Sequence, residues 1–380
     1  MCTTGSPGCR IPSCRFSRPR SSPVPGVRLH GSRDSLTDVS GLLVGHHHQL
    51  DPDAEMGSGA ATGCTVVRTV GGAVAAVDVR GGGPGTRETD LLDPSNSVQQ
   101  VNAILLSGGS AYGLAAADGV MRWLEEHGHG IVMGSPDEVV PIVPGAVIFD
   151  LPVGDWGIRP TAEFGYRAAA AAAADFETGS VGAGVGARAG VLKGGVGTAS
   201  TVISGGPADG ITVGALIVTN PVGAVFDART GLPWGVGSDG PQAYGMRKPD
   251  VHELWNANSL EPKGTALNTT IGVVATDVEL SPASCKRLAV AGHDGLARAI
   301  RPAHSPLDGD TLFALSTGTR SVVTETSLPR AFARDLPVLD AVAAVAADVV
   351  ERAIVRALLD ATSVAGIPTY RQIFSSAFES

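Results

Sequence analysis

The sequence predicts a layered α/β protein, with two sheets of strands enclosed by helices on their outer sides. Three observations point there. Short runs of Val, Ile, Leu and Ala recur between glycines from Leu42 onward, at strand length. Strands of this kind fall on both sides of a central aperiodic stretch, residues 226–268, and are joined by hairpin turns as often as by helices. Amphipathic or apolar helical segments lie between and after them, and a chain of 380 residues with 43% hydrophobic content can bury a substantial core.

Taken in order, GLLVGHHH, ATGCTVVRT and GAVAAVDVRGGGPGTRETD read as strands and turns, and VNAILLSGG as a buried strand. SAYGLAAADGVMRWLEEHG spaces Leu114, Ala117, Met121 and Leu124 as one helical face and ends at Gly128. VPIVPGAVIFDLPVG is broken by proline and reads as an edge strand or irregular crossing. The alanine run in EFGYRAAAAAAADF favours a helix able to pack closely. GSVGAGVGARAGVLKGGVGTASTVI is a glycine-punctuated hairpin region, and GITVGALIVTNPVGAVFD predicts two further strands. Residues 226–268 lack periodicity and are expected to form one long loop. IGVVATD is a buried strand, and Ser281 as N-cap with Pro282 at the first helical position opens a helix through SPASCKRLAVAGHDGLARAI. SPLDGDTLFALST is a turn and strand, and the chain closes on the long apolar helix of LPVLDAVAAVAADVVERAIVRALLDA.

Composition excludes several function classes. The net charge of −9 and pI near 5.5 give nucleic acid and anionic membranes no electrostatic reason to bind. No run approaches the roughly 18 apolar residues of a membrane helix. Residues 1–33, rich in Arg, Ser and Pro, are expected to be a disordered leader, either a transit peptide or a product of a start assigned too far upstream, the second being preferred. Cys2, Cys9 and Cys14 fall there without zinc-ligand spacing, so Cys64 and Cys285 are the cysteines of the folded body, residues 34–380. That suits a reducing, cytoplasmic compartment.

Several attractive motifs are weak. Gly182, Gly184 and Ala187 fit G-x-G-x-x-A, but the glycines that follow rule out the required helix. RGGGPGT resembles an anion nest without the Lys-Ser/Thr of a phosphate loop. His46, His47 and His48 read as a solvated loop rather than a metal site, and Tyr112 as ordinary packing. Lys193, Asn220, Thr269, Asp308 and Asp310 are each ordinary alone. Together, at the ends of buried apolar strands, a lysine and two carboxylates should meet each other or a ligand.

Thr269 gives such a set a purpose. A hydroxyl becomes a nucleophile when a base takes its proton, and an N-terminal threonine carries its own base, an α-amino group of reference pKa about 7.7 to 8.0. Freeing that amine requires the Thr269 hydroxyl to attack the Asn268 carbonyl, followed by hydrolysis of the resulting ester. The Asn220 amide would stabilise the oxyanion, and Lys193 would add positive charge and help keep the amine neutral.

The motifs RGGGPGTRETDLLDP, LLSGGSAYGLAAADGV, PIVPGAVIFDLP, LKGGVGTAS, VTNPVG, NTTIGVVATD, HDGLARAIRP and DGDTLFAL occur in this order between about Leu36 and Pro368. In this the sequence resembles the DmpA-like L-aminopeptidase/D-Ala-esterase/amidase family, which includes β-peptidyl aminopeptidases and the nylon-oligomer (6-aminohexanoate oligomer) hydrolase. The resemblance implies a four-layer αββα sandwich like that of the N-terminal nucleophile hydrolases. It implies self-cleavage between Asn268 and Thr269 into fragments 1–268 (α) and 269–380 (β), and homo-oligomers, tetramers or larger, of such α/β units. Lys193, Asn220, Asp308 and Asp310 match positions implicated in cleavage and catalysis, and Tyr112 matches a tyrosine near the nucleophile. Members of the aminopeptidase branch carry a serine nucleophile, with serine and glutamate at the positions of Asp308 and Asp310; the nylon-oligomer branch looks like this chain.

The expected function is therefore an amidase or aminopeptidase acting on small amides or short peptides by acyl transfer to Thr269, with no metal or organic cofactor. Two rivals stand beside it: an acyl transferase of the ornithine acetyltransferase type, and a non-catalytic small-molecule-binding protein of the same fold.

Overall fold

The computed structural model describes residue 1 and residues 29–237, 239–260, 268–322 and 328–378. The main strands are β1 (Leu29–His30), β2 (Leu42–Leu50), β3 (Ala61–Val79), β4 (Gln100–Ser107), β5 (Gly145–Val147), β6 (Gly195–Val202), β7 (Thr212–Thr219), β8 (Ile271–Val278) and β9 (Thr311–Arg320). They form a ten-stranded sheet in the order β1-β6-β7-β8-β9-β3-β4-β5, closed at one edge by the short strand Thr86–Arg87, with β2 added on β3. Neighbours are antiparallel except β8 with β9 and β4 with β5.

The two sheets expected from the sequence are one continuous hydrogen-bonded ladder, folded through β3. The first half of this strand pairs with β2 over 61–69, and its second half pairs on the same edge with β9 over 74–79. Between the halves the register to β4 jumps from Arg68 to Ala73, at Gly71 and Gly72. Gly72 has φ +80, a conformation glycine adopts without the clash a Cβ would bring. The bend lets one strand serve both leaves of a sandwich.

Alternate side chains confirm four layers, because successive residues on a strand face opposite sides. On β7, Ala215 and Ile217 join Leu288, Leu296, Val342 and Val349 in one core, under the helices α4 (Pro282–Ala299) and α5 (Leu336–Leu359). Leu216 and Val218 point the other way, into a middle core shared with Ile271, Val273, Phe313, Val67, Ile104 and Leu106. On β4, Ala103 and Leu105 leave that core for a third, with Ala117, Val120, Leu124 and Ala168 of α1 (Ala116–Glu126) and α2 (Ala162–Ala170). Helix, sheet, sheet and helix follow one another, and each fully buried Leu, Ile, Val or Phe contributes about 1.5–3 kcal/mol.

Small residues set the helix contacts. A Cβ at Gly119 would lie 1.6 Å from the Ala162 carbonyl oxygen, and one at Gly165 would lie 1.8 Å from that of Ala116, so α1 and α2 touch backbone to backbone. Ser281 caps α4 as expected, its hydroxyl accepting from Ser284 N at 3.2 Å, with Pro282 in the first turn.

Other expectations change. The stretch 226–268 contains the helix α3 (Val251–Asn258) and short 3-10 turns at Trp234–Val236 and Pro241–Tyr244; residues 261–267 lie outside the described residues. The segment after Asn220 makes isolated bridges, Ala224 with Arg301 and Phe226 with Pro233, instead of a second strand. His46, His47 and His48 belong to β2, not to a solvated loop: His46 bonds Thr65 Oγ1 at 2.9 Å and His47 packs edge-on against Phe164. Of the expected leader, residues 2–28 with Cys2, Cys9 and Cys14 lie outside the described residues, while Leu29 and His30 already pair with Val202 and Thr201 of β6. The described chain thus already pairs with the sheet ahead of residue 34. Among the described residues no helix is long and apolar enough to cross a membrane.

Candidate active site

Register gathers the polar residues that were scattered in the sequence. Parallel pairing of Ile271 with Thr311 sets the start of β8 beside the start of β9, which brings Thr269–Thr270 next to Asp308–Asp310. Antiparallel pairing of Val218 with Ile271 brings the end of β7, and so Asn220, to the same place. Gly195 opposite Thr219 does this for the start of β6, just after Lys193, and Val79 opposite Thr311 for the end of β3, just before Arg80. Five strand ends meet at one end of the sheet.

Thr269 is 4% exposed and Asn268 fully buried. The Asn268 carbonyl oxygen accepts the Gly309 N–H at 2.9 Å and the hydroxyl of Thr269 itself. Thr269 N donates to the main-chain oxygen of Asn220 at 3.1 Å, and Asn268 N to that of Leu307 at 3.1 Å. A hydroxyl and a fixed N–H donor therefore converge on the carbonyl in front of Thr269.

The two aspartates have different surroundings. Asp310, 1% exposed, accepts from Thr270 N at 2.8 Å on one oxygen, and from His304 N at 3.0 Å and His304 Nδ1 at 2.9 Å on the other. Asp308 accepts from Val222 N and Ser305 N, each at 3.2 Å. Burial, reinforced by the neighbouring Asp310, pushes the Asp308 carboxyl above its ordinary range. A carboxyl in this state is suited to carrying a proton between steps.

Lys193 is fully buried, with Nζ donating to the carbonyls of Gly184 at 2.8 Å and Gly194 at 2.9 Å. Desolvation lowers its pKa to about 7, against a smaller opposing pull from Asp150. The Asn220 side chain accepts from Arg188 N at 2.8 Å and points its amide nitrogen to Phe149 O at 3.4 Å. Tyr112 lies in the 3-10 turn Ser110–Ala115 ahead of α1, 56% exposed, with the Arg159 guanidinium carbon 3.9 Å from its ring centre. It makes no hydrogen bond to Thr269.

Several residues here escaped sequence reasoning. The glycines of RGGGPGT are needed because backbone lies on backbone: Cβ atoms at Gly81 and Gly82 would come within 2.3 Å of Asp308 O and 2.6 Å of Pro306 O. Arg80 N and Gly83 N donate to Asp310 O and Asp308 O at 2.9 and 2.8 Å, so this loop clamps the aspartate turn. Gly309 is equally constrained, and its place between the two aspartates of DGD was the available signal. His304 carried none, because its link to Asp310 depends on a turn that brings back a residue six positions earlier. Beside Val222, an apolar cavity of 290 Å³ is lined by Ala189, Val191, Val225, Phe226 and Leu260.

Residues 34–371 match the profile of peptidase family S58. The chain belongs to peptidase family S58. It is 58% identical over 351 residues to an uncharacterised aminopeptidase of Mycobacterium tuberculosis (strain H37Rv), covering 91% of this chain and all of that one. It is 31% identical over 296 residues to the 6-aminohexanoate-oligomer endohydrolase of Kocuria sp. (strain KY2), 77% of each chain. The solved structure of the L-aminopeptidase D-Ala-esterase/amidase from Ochrobactrum anthropi, described as a variant of the Ntn hydrolase fold, superposes with a TM-score of 0.62 at 22% identity over 88% of both chains. This S58 peptidase shares that fold, and as a family member it is a hydrolase acting on amide or peptide bonds.

Proposed function

We propose that this S58 peptidase cuts its own Asn268–Thr269 bond and then hydrolyses small amides or short peptides with Thr269 as an N-terminal nucleophile. The observation that carries the reading is the convergence of the Thr269 hydroxyl and the Gly309 N–H on the Asn268 carbonyl oxygen. Attack of Oγ1 on that carbonyl carbon forms an ester as the C–N bond breaks, and the Thr269 nitrogen takes a proton and leaves as an amine. Gly309 N–H stabilises the oxyanion in between. Water then hydrolyses the ester, releasing the carboxyl of Asn268 and regenerating the hydroxyl. In each later turnover the free amine takes the hydroxyl proton, Oγ1 accepts the acyl group of the substrate, the substrate's amine departs, and water frees the acid.

To Asp308, whose backbone bridges Asn268 and whose carboxyl is raised by burial, the proposal gives the exchange of the proton the leaving nitrogen needs. Lys193, lowered by burial to a pKa of about 7, can take up or release a proton near neutral pH, and Asn220 anchors the Thr269 nitrogen through its carbonyl. Aminopeptidase and 6-aminohexanoate-oligomer hydrolase relatives support a substrate with a free amine and a linear amide, and the cavity beside Val222 has room for an aliphatic segment. A homo-oligomer, tetramer or larger, belongs to the same proposal and is read by light scattering. Mass spectrometry of the purified protein tests the central step: a fragment beginning at Thr269 is expected, and a chain that stays whole on prolonged incubation refutes it. Added ornithine, if it accepted an acetyl group, would favour the acyl-transferase rival instead.

A further inference from the structure

We propose that His304 is a positioning residue that holds Asp310 so that Thr269 keeps its place after becoming a chain end; the inference rests on Thr269 being the nucleophile. One oxygen of Asp310 receives both the main-chain N–H and the ring Nδ1 of His304, at 3.0 and 2.9 Å. With a carboxylate oxygen as acceptor, Nδ1 carries the proton. The backbone of His304 is left-handed, φ +56, and this turn lets one residue present both donors to the same atom. The ring is held rather than solvated: His293 packs edge-on against it with centroids 4.8 Å apart, and Nε2 is buried without a partner.

The other oxygen of Asp310 holds Thr270 N at 2.8 Å. This contact changes in weight during maturation. Before cleavage Thr269 is fixed through peptide bonds on both sides. Afterwards its one covalent link is to Thr270, beside the contact of its nitrogen with Asn220 O, and Thr270 is held by Asp310 at its N–H and by Thr311 N at its carbonyl, 3.1 Å away. Loosening Asp310 therefore harms hydrolysis by the cut enzyme more than it harms the cut. A purely structural histidine would slow both steps alike.

His304→Gly tolerates the left-handed backbone and keeps the main-chain donor while removing Nδ1; His304→Asn suits the same backbone and returns a side-chain N–H near that position. For each full chain the half-time of self-cleavage is followed by denaturing electrophoresis. The cut protein is then assayed for kcat, KM and Tm on whichever aminoacyl p-nitroanilide or 6-aminohexanoate oligomer the wild type turns over fastest. We expect His304→Gly to lower kcat at least tenfold more than it slows cleavage, with His304→Asn recovering most of the loss at similar Tm. Equal slowing of both steps, a His304→Gly chain that never cuts, wild-type kcat in that variant, or no recovery in His304→Asn overturns the assignment. A wild-type chain that never cuts overturns the Thr269 reading itself, and this one with it.

Discussion

Replacing Gly309 with alanine probes the centre of the proposed site with one methyl group. Its Cβ would lie 2.8 Å from Thr269 Oγ1, 2.8 Å from Gly83 O and 3.1 Å from Pro84 Cα, where ordinary contact begins at 3.4 Å. Gly83 cannot easily withdraw, because its N–H is tied to Asp308 O at 2.8 Å. The strain therefore falls on the hydroxyl and on the 308–310 turn, displacing them by about half an ångström. Misplacement of a reacting group by about 1 Å costs on the order of 10²-fold in rate, so half of that gives roughly tenfold. Dragging the Gly309 N–H away from the Asn268 oxygen weakens an oxyanion donor, whose complete loss costs about 10²–10³-fold. Self-cleavage slowed by roughly ten- to a hundredfold is expected, with a stability loss of about 1–3 kcal/mol from overpacking. The assay is the rate at which full-length chain disappears on denaturing gels, with urea unfolding for stability and Gly71→Ala, whose Cβ meets nothing within 4 Å, as control. Cleavage within twofold of wild type at unchanged stability would refute the placement of Gly309 against the nucleophile.

Thr269→Ala should give a single uncut chain with no amidase activity, whereas Thr269→Ser should still cut; two fragments from the alanine variant, seen by mass spectrometry, reject Thr269 as the nucleophile. Burial lowers the Lys193 pKa from 10.5 to about 7, so between these values the unfolded chain holds a proton that the folded chain lacks. Stability should accordingly rise with pH across that window, by up to about 1.4 kcal/mol per pH unit from this group, and Lys193→Met should flatten the slope in urea titrations at pH 7, 8 and 9. Asp34 receives Arg352 NH2 at 2.5 Å and also Arg356, tying the entry of the chain to α5. With the Arg352 side chain only 8% exposed, Asp34→Ala should lower the unfolding free energy by roughly 3–5 kcal/mol, and an unchanged urea midpoint would show that this pair does not anchor the segment.

Much of the local structure was legible because its causes are local. Ser281 and Pro282 announce the start of α4 through capping and a fixed φ, and the apolar run from Leu336 needs no partner to read as a helix. The polar set of Lys193, Asn220, Thr269, Asp308 and Asp310 stood out because charge and amide groups are costly among buried apolar strands. The eight-residue α3 was hidden by its weak pattern, with Val251 and Trp255 exposed. The single ladder was hidden by Gly71–Gly72, which reads as a turn between strands when it is a bend within one.

By itself, the sequence determined which segments alternate, which must be buried, and which hydroxyl stands at the start of a core strand. The tertiary structure decided which strand ends meet. Parallel pairing of β8 with β9, and the bend in β3, join residues far apart along the chain, and such pairings are selected by packing across four layers rather than by any local preference. The company Thr269 keeps, with Gly309 on the Asn268 carbonyl and His304 behind Asp310, follows from that packing.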